Sequence, residues 1–150
     1  MKHLDYNHYI VMFCIMILSG LLTTMNIWVD TLDDIRFSLN DIYMSLLMTG
    51  WMFLFMGLYY SEPIILFIGV FLVVFNIWFI RTQFMVTKQQ YILGMIPHHS
   101  MAIHMSKKII KRDSPLLNDF ASNIISAQEK EIEYMKQLSK MPTDITLSSK

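Results

Sequence analysis

Apolar positions run in three long blocks at the front of the chain and then change to an amphipathic rhythm. Tyr9 to Val29 is 21 residues without a charged side chain. That matches the roughly 20 residues, at ~1.5 Å rise each, needed to cross a ~30 Å hydrocarbon layer. Ile42 to Ser61 gives a second uncharged run of 20 residues, and Ile64 to Ile80 a third of 17, opened by Pro63 and closed by Arg81. The turn Ser61-Glu62-Pro63 is so short that the second and third runs must form an antiparallel hairpin. The first run is too long for the apolar part of a signal peptide and ends without a small-residue exit, so it reads as a span.

Beyond Arg81 the period becomes helical with polar faces, predicting helices over Val86–Arg112 and Pro115–Leu138. Asp113-Ser114-Pro115 is the break, with Ser114 as a cap and Pro115 at the first helical position. Pro97 removes one amide donor from the first of these helices and predicts a bend there. The expected class is all-α: three transmembrane helices over residues 1–81, a two-helix hairpin over 82–141, and a polar, frayed strip over 142–150.

Composition agrees with a bilayer location, since 54% of the 150 residues are hydrophobic. A net charge of zero hides two unlike halves. Residues 1–80 carry Lys2 and Arg36 against Asp5, Asp30, Asp33, Asp34, Asp41 and Glu62, whereas most of the basic residues follow. Near the spans, Arg36, Arg81 and Lys88 outnumber Lys2, so the basic-residue rule places the tail on the cytoplasmic side of a plasma membrane, with the termini on opposite faces. A single cysteine, Cys14, excludes an internal disulfide, a CxxC redox pair and a Cys-based zinc site. Basic residues of the tail are dispersed, so nucleic acid is not an expected partner.

The chemistry-bearing stretch is Met95-Ile96-Pro97-His98-His99-Ser100-Met101-Ala102-Ile103-His104-Met105. At 100° per residue, Met95, His98, His99, Ala102 and Met105 share one stripe, Met101 lies at its margin, and His104 points elsewhere. On the second helix the inward stripe reads Ala121, Ile124, Ile125, Gln128, Glu131, Ile132, Met135 and Leu138. Gln128 and Glu131 are its polar members, suited to partner facing imidazoles as outer supports of a metal site. Thioether sulfur prefers Cu(I) or Ag(I), while imidazole also accepts Cu(II) and Zn(II), so the mixture points to Cu(I). Ordinary helix packing explains Met and a His pair equally well from composition alone.

These residues, read from Met95-Ile96-Pro97-His98-His99 through Met105 and on through Ala121, Gln128, Glu131 and Met135, resemble the family of the domain of unknown function 305. The resemblance implies a ferritin-like helical fold and copper or silver handling. It makes His98, His99, Met95, Met101 and Met105 ligand candidates, with Met135 from the second helix. The preceding spans with Arg81-Thr82-Gln83 look like the membrane-attached members, which implies an extracytoplasmic tail, against the basic-residue count. Half of a four-helix bundle leaves an apolar stripe open, so a homodimer is the expected completion.

The function that follows is a non-enzymatic, membrane-tethered Cu(I) or Ag(I) binder serving tolerance, storage or hand-off to a copper-handling partner. One alternative is an interaction module without metal. Another is a three-span copper conduit using Met44, Met48, Met52 and Met56 of the second span, a ladder that resembles the Met-x-x-x-Met element of copper importers but lacks the rest of their pattern. Haem is not expected, because His3, His8, His98, His99 and His104 all lie outside the spans. Neither a phosphate loop nor a catalytic dyad is present to suggest a nucleotide or an enzyme.

Overall fold

A computed structural model describes residues 6–110 and 115–140. Its elements are α1 (Tyr6–Leu22), two 3₁₀ turns (Met25–Trp28 and Leu32–Asp34), α2 (Leu39–Tyr60), α3 (Pro63–Thr82), α4 (Lys88–Ile110) and α5 (Pro115–Lys140). Among the described residues the fold is all-α. The expected Ser114 cap, the helix end at Arg112 and the strip Pro142–Lys150 lie outside the described residues.

Three segments are long and apolar enough to cross a membrane: Asn7–Trp28, Leu39–Tyr60 and Pro63–Thr82. The first differs from the single helix expected over residues 9–29, because the α-helix stops at Leu22. Thr23 Oγ1 donates to Ser19 O at 2.8 Å and Asn26 Nδ2 to Thr24 Oγ1 at 3.0 Å. Short polar side chains that bond nearby backbone or one another offer the chain an alternative to continued helix, and the rest of the apolar run is a 3₁₀ turn.

By compactness the chain divides into two units. The first holds the described residues up to Ile27 together with Phe37–Gly94, and the second holds Trp28–Arg36 with the residues from Met95 on. This partition differs from a simple boundary at Arg81: α4 belongs to the first unit up to Gly94, and a nine-residue stretch between two spans belongs with the tail.

In the first unit, α2 is opened by Asp41, which accepts from Ser38 N at 2.8 Å and from Ser38 Oγ at 2.9 Å. The next free amide of that helix, Leu39 N, donates to Gln90 Oε1 at 2.8 Å, tying the start of α4 to the start of α2. The α2–α3 turn closes through Ser61 in the left-handed region and Glu62 N donating to Gly57 O at 2.9 Å. Three glycines, Gly50, Gly57 and Gly69, set the closeness of α2 and α3. A Cβ at Gly57 would strike the backbone of Leu66, and one at Gly69 the backbone of Leu54. Small residues on both helices thus let the two backbones approach. Buried polar groups in the spans bond their own helices: Ser45 Oγ to Asp41 O and Thr49 Oγ1 to Ser45 O, each at 2.8 Å, and Asn76 Nδ2 to Leu72 O at 2.7 Å. That leaves few donors to be satisfied by lipid. The Met ladder of α2 is divided: Met44 and Met48 are exposed, while Met52 and Met56 pack on the Tyr9, Phe53 and Ile65 cluster.

Candidate functional site

The second unit is built from α4 from Met95 on, α5 and the stretch Trp28–Arg36. Its α4 face differs from the stripe of thioethers and imidazoles. The buried positions are Ile96, Pro97, His99, Ser100, Ile103 and Ser106, a stripe turned by roughly one residue, about 100°, from Met95, His98, Ala102 and Met105. His99 belongs to both and is 9% exposed. His98 is exposed, Met105 is 51% exposed, and Met95 and Met101 are half-buried. The helix runs unbroken through Pro97. On α5 the inward stripe is as expected for Ala121, Ile132 and Met135, which are buried, and Ile124, Ile125, Gln128 and Leu138 are half-buried. Glu131 sits at the edge of that stripe with its side chain 55% exposed.

His99 and Glu131 meet, as the sequence suggested. His99 Nε2 lies 2.9 Å from Glu131 Oε2. The other ring nitrogen, Nδ1, lies 2.7 Å from Met95 O one turn back on its own helix. A carbonyl oxygen can only accept, so Nδ1 carries hydrogen and donates. Among the described residues no hydrogen bond joins Gln128 to an imidazole. His98 packs edge-on against His99, with ring centroids 6.0 Å apart. His104 Nδ1 is 3.9 Å from Asp30 Oδ1.

Sequence reasoning missed a charged network built around Asp30 and Asp34. Asp34, 4% exposed, accepts from Ser100 Oγ at 2.7 Å and Thr31 Oγ1 at 2.9 Å and pairs with Lys136 Nζ at 2.5 Å. Ser100 is fully buried and also accepts from Asp30 N at 2.9 Å. Lys107 Nζ donates to Asp30 Oδ2 at 2.7 Å and lies 3.8 Å from Glu129 Oε1. One short segment thus bonds both tail helices. Burial pushes the Asp34 carboxyl up, but Lys136, Ser100 and Thr31 outweigh it and hold the pKa below the ordinary carboxylate value. The Asp30 carboxylate, aided by Glu129, lifts Lys107 above the ordinary lysine value. Two acids spaced four apart between two apolar runs, with no base beside them but Arg36, were the available signal.

Among the described residues no three His, Cys, Asp or Glu side chains are placed to hold a metal ion together. Asp30, Asp34 and Glu129 are already engaged by Lys107 and Lys136. Among the described residues of this unit, thioether donors are the soft side chains left unengaged. The open side of α4 offers them: Met95, Met101 and Met105 with His98, chemically suited to a soft cation.

A family model described as "Domain of unknown function (DUF305)" matches residues 82–139, the stretch that forms most of α4 and α5. The chain is 41% identical over 129 residues to the uncharacterized protein L153 of Acanthamoeba polyphaga mimivirus, a likeness covering 80% of this chain and 83% of that one. Coverage that wide extends well outside the matched domain and into the apolar helices. No solved structure matches the chain. With the domain matched across its hairpin and a relative aligned over most of both lengths, the chain belongs to the DUF305 family.

Proposed function

We propose that this protein is a multi-pass membrane protein whose tail binds a soft cation, Cu(I) or Ag(I), as cargo for tolerance, storage or hand-off to a copper-handling partner. The observation that carries this reading is the position of the soft donors. His98 and Met105 are exposed, and Met95 and Met101 half-buried, on a side of α4 that the buried stripe leaves free. Core packing, the ordinary explanation for methionines at helical spacing, accounts for Met135 but not for Met105. An exposed cluster of polarizable side chains is either a site or a docking face.

The spacing on α4 sets what one chain can contribute. His98 and Met105 are seven residues, about 10.5 Å, apart along the axis, so one ion takes neighbours such as His98 with Met101, or Met101 with Met105. Further donors come from a second copy, and a homodimer joined along this side completes the ligand set. Leu117, Phe120 and Tyr134 of α5 are also exposed and provide apolar surface for such a contact.

The test is a competitive Cu(I) titration of the full chain in nanodiscs, with Zn(II) in parallel. The parent binds Cu(I) well above Zn(II), and Met101→Ala/Met105→Ala weakens Cu(I) by on the order of tenfold or more while changing Zn(II) less, because sulfur is the softest donor. Equal Cu(I) affinity in parent and variant, or tighter Zn(II) than Cu(I), sinks the reading.

A further inference from the structure

A Cβ at Gly20 would meet the Ser45 side chain, and Tyr9 packs edge-on against Phe53. These pairs set α1 and α2 antiparallel, and by that register Leu22, the end of α1, is level with Tyr43. The second helix begins four residues earlier, at Leu39, so its first turn extends past the end of α1. Around that turn lies a groove of about 710 Å³, within the ~300–1,000 Å³ of small-molecule sites. Leu18 and Leu22 of α1, Phe37 and Ile42 at the start of α2, and Met85 between α3 and α4 give it apolar walls. Its polar members are Ser38, Thr87 and Gln90. All belong to the first unit.

In a bundle of three successive spans, the end of α1, the start of α2 and the end of α3 share one face, so the groove lies where the spans leave the hydrocarbon layer. Leu18, Leu22, Phe37 and Met85 are exposed there, apolar surface that hydrocarbon covers without cost. Charge distinguishes the two helix starts beside the groove. The first turn of α2 contains Asp41, which offsets the positive end of its dipole, and Leu39 N is taken by Gln90 Oε1. By contrast, α4 opens on Lys88 and has no acid in its first turn. Thr87 Oγ1 accepts from Gln90 N at 3.2 Å, which leaves the amides of Lys88 and Gln89 without a capping partner among the described residues. A lysine at the positive end of a helix dipole is an unfavourable placement until an anion sits beside it. Lys88 is exposed and makes no ion pair among the described residues.

We propose that this groove seats one anionic phospholipid, with an acyl chain against Leu18, Leu22, Phe37 and Ile42 and the phosphate at the start of α4, on the Lys88 ammonium and the open amides of Lys88 and Gln89. This rests on the membrane reading above and is independent of the soft cation. The phosphate supplies the negative charge that the start of α4 lacks, and the chain supplies the apolar cover that the first turn of α2 lacks. A free anion would have no use for the apolar walls, and a neutral amphiphile would leave Lys88 unanswered. Bound to both, the lipid joins the start of α4 to the spans beside the Gln90–Leu39 contact.

Native mass spectrometry of the full chain released from maltoside micelles, with phosphatidylglycerol or phosphatidylcholine added, counts the lipid that stays. The parent should hold one phosphatidylglycerol per chain, about fivefold more tightly than phosphatidylcholine, the factor one basic residue gives at an anionic lipid. Lys88→Gln should weaken phosphatidylglycerol by about that fivefold and leave phosphatidylcholine unchanged. Ile42→Trp, which fills the groove, should remove both lipids. Leu18→Trp does the same from the α1 wall and is read in its place if Ile42→Trp loses helicity by circular dichroism. Equal binding of the two lipids by the parent, full retention of phosphatidylglycerol by the groove-filling variants, or a lipid-free dimer with the groove covered by a second copy overturns the proposal. If the chain needs detergent yet retains no phosphatidylglycerol, the lipid seat falls and the membrane reading stands. If the chain stays dispersed as a soluble protein without detergent, both fall.

Discussion

Replacing Lys136 with Met isolates what joins the Trp28–Arg36 segment to the tail. The pair it breaks has one member 4% exposed, Asp34, and one whose side chain is 28% exposed. Removing one partner of a fully buried ion pair costs ~3–5 kcal/mol, and a hydrogen bond to a charged group is worth ~1.5–3 kcal/mol. Water reaches the ammonium here, and Ser100 and Thr31 still donate to the stranded carboxylate, so the lower range applies, ~1.5–3 kcal/mol. At ~1.4 kcal/mol per tenfold, amides of residues 28–36 should exchange about 10- to 150-fold faster by hydrogen–deuterium exchange, while α2 and α3 are unchanged. The Asp30 amide, which donates to Ser100 Oγ, is a direct reporter. The effect has a defined pH window. Because the folded pKa of Asp34 is depressed, the stabilisation is present above the unfolded value of ~3.9 and is lost as pH falls through the lower folded value. The difference between parent and variant should therefore be full near pH 6 and shrink below about pH 4. Equal exchange of residues 28–36 in parent and Lys136→Met at neutral pH would refute the assignment of the ion pair as the clasp.

Gly57→Ala and Gly69→Ala place a Cβ against opposing backbone, so each should lower the thermal midpoint in detergent, with a cost at or above the ~1–3 kcal/mol of ordinary overpacking. A midpoint equal to the parent's would show that α2 and α3 can separate freely. Asp30→Asn should return the Lys107 titration toward its ordinary value, as read by NMR of the side-chain ammonium. In the parent, the raised Lys107 pKa stabilises the segment below ~10.4 and stops doing so as pH rises through the folded value, so exchange of residues 28–36 should quicken at that alkaline limit. Self-association should appear in sedimentation of the detergent-solubilised chain and weaken in Phe120→Ser/Tyr134→Ser; a monomer across a wide concentration range would remove the second copy from the proposed site.

Local pattern carried the helices. Three apolar runs of near-membrane length, Pro63 and Pro115 at helix starts, and the α5 stripe of Ala121, Ile132 and Met135 follow from periods of a few residues, and the structure has them where the sequence places them, except that the first helix ends early, at Leu22. The facing of His99 and Glu131 was also legible, because a buried imidazole needs a polar partner and few were on offer. Three features were not. The α4 face turned by about one residue, since Ile96, Ser100 and Ile103 compete with Met95, His98 and Ala102 for the inside, and helical period alone does not rank two adjacent stripes. The closeness of α2 and α3 depends on glycines that meet backbone on the opposite helix, a fact of register across the pair. The clasp of the tail joins Ser100 to Asp34 across 66 positions and Lys107 to Asp30 across 77. Periodicity reports only on neighbours within a turn or two. Which distant acid answers which buried hydroxyl or lysine is settled by the folded chain, where desolvation forces each buried charge to find a partner.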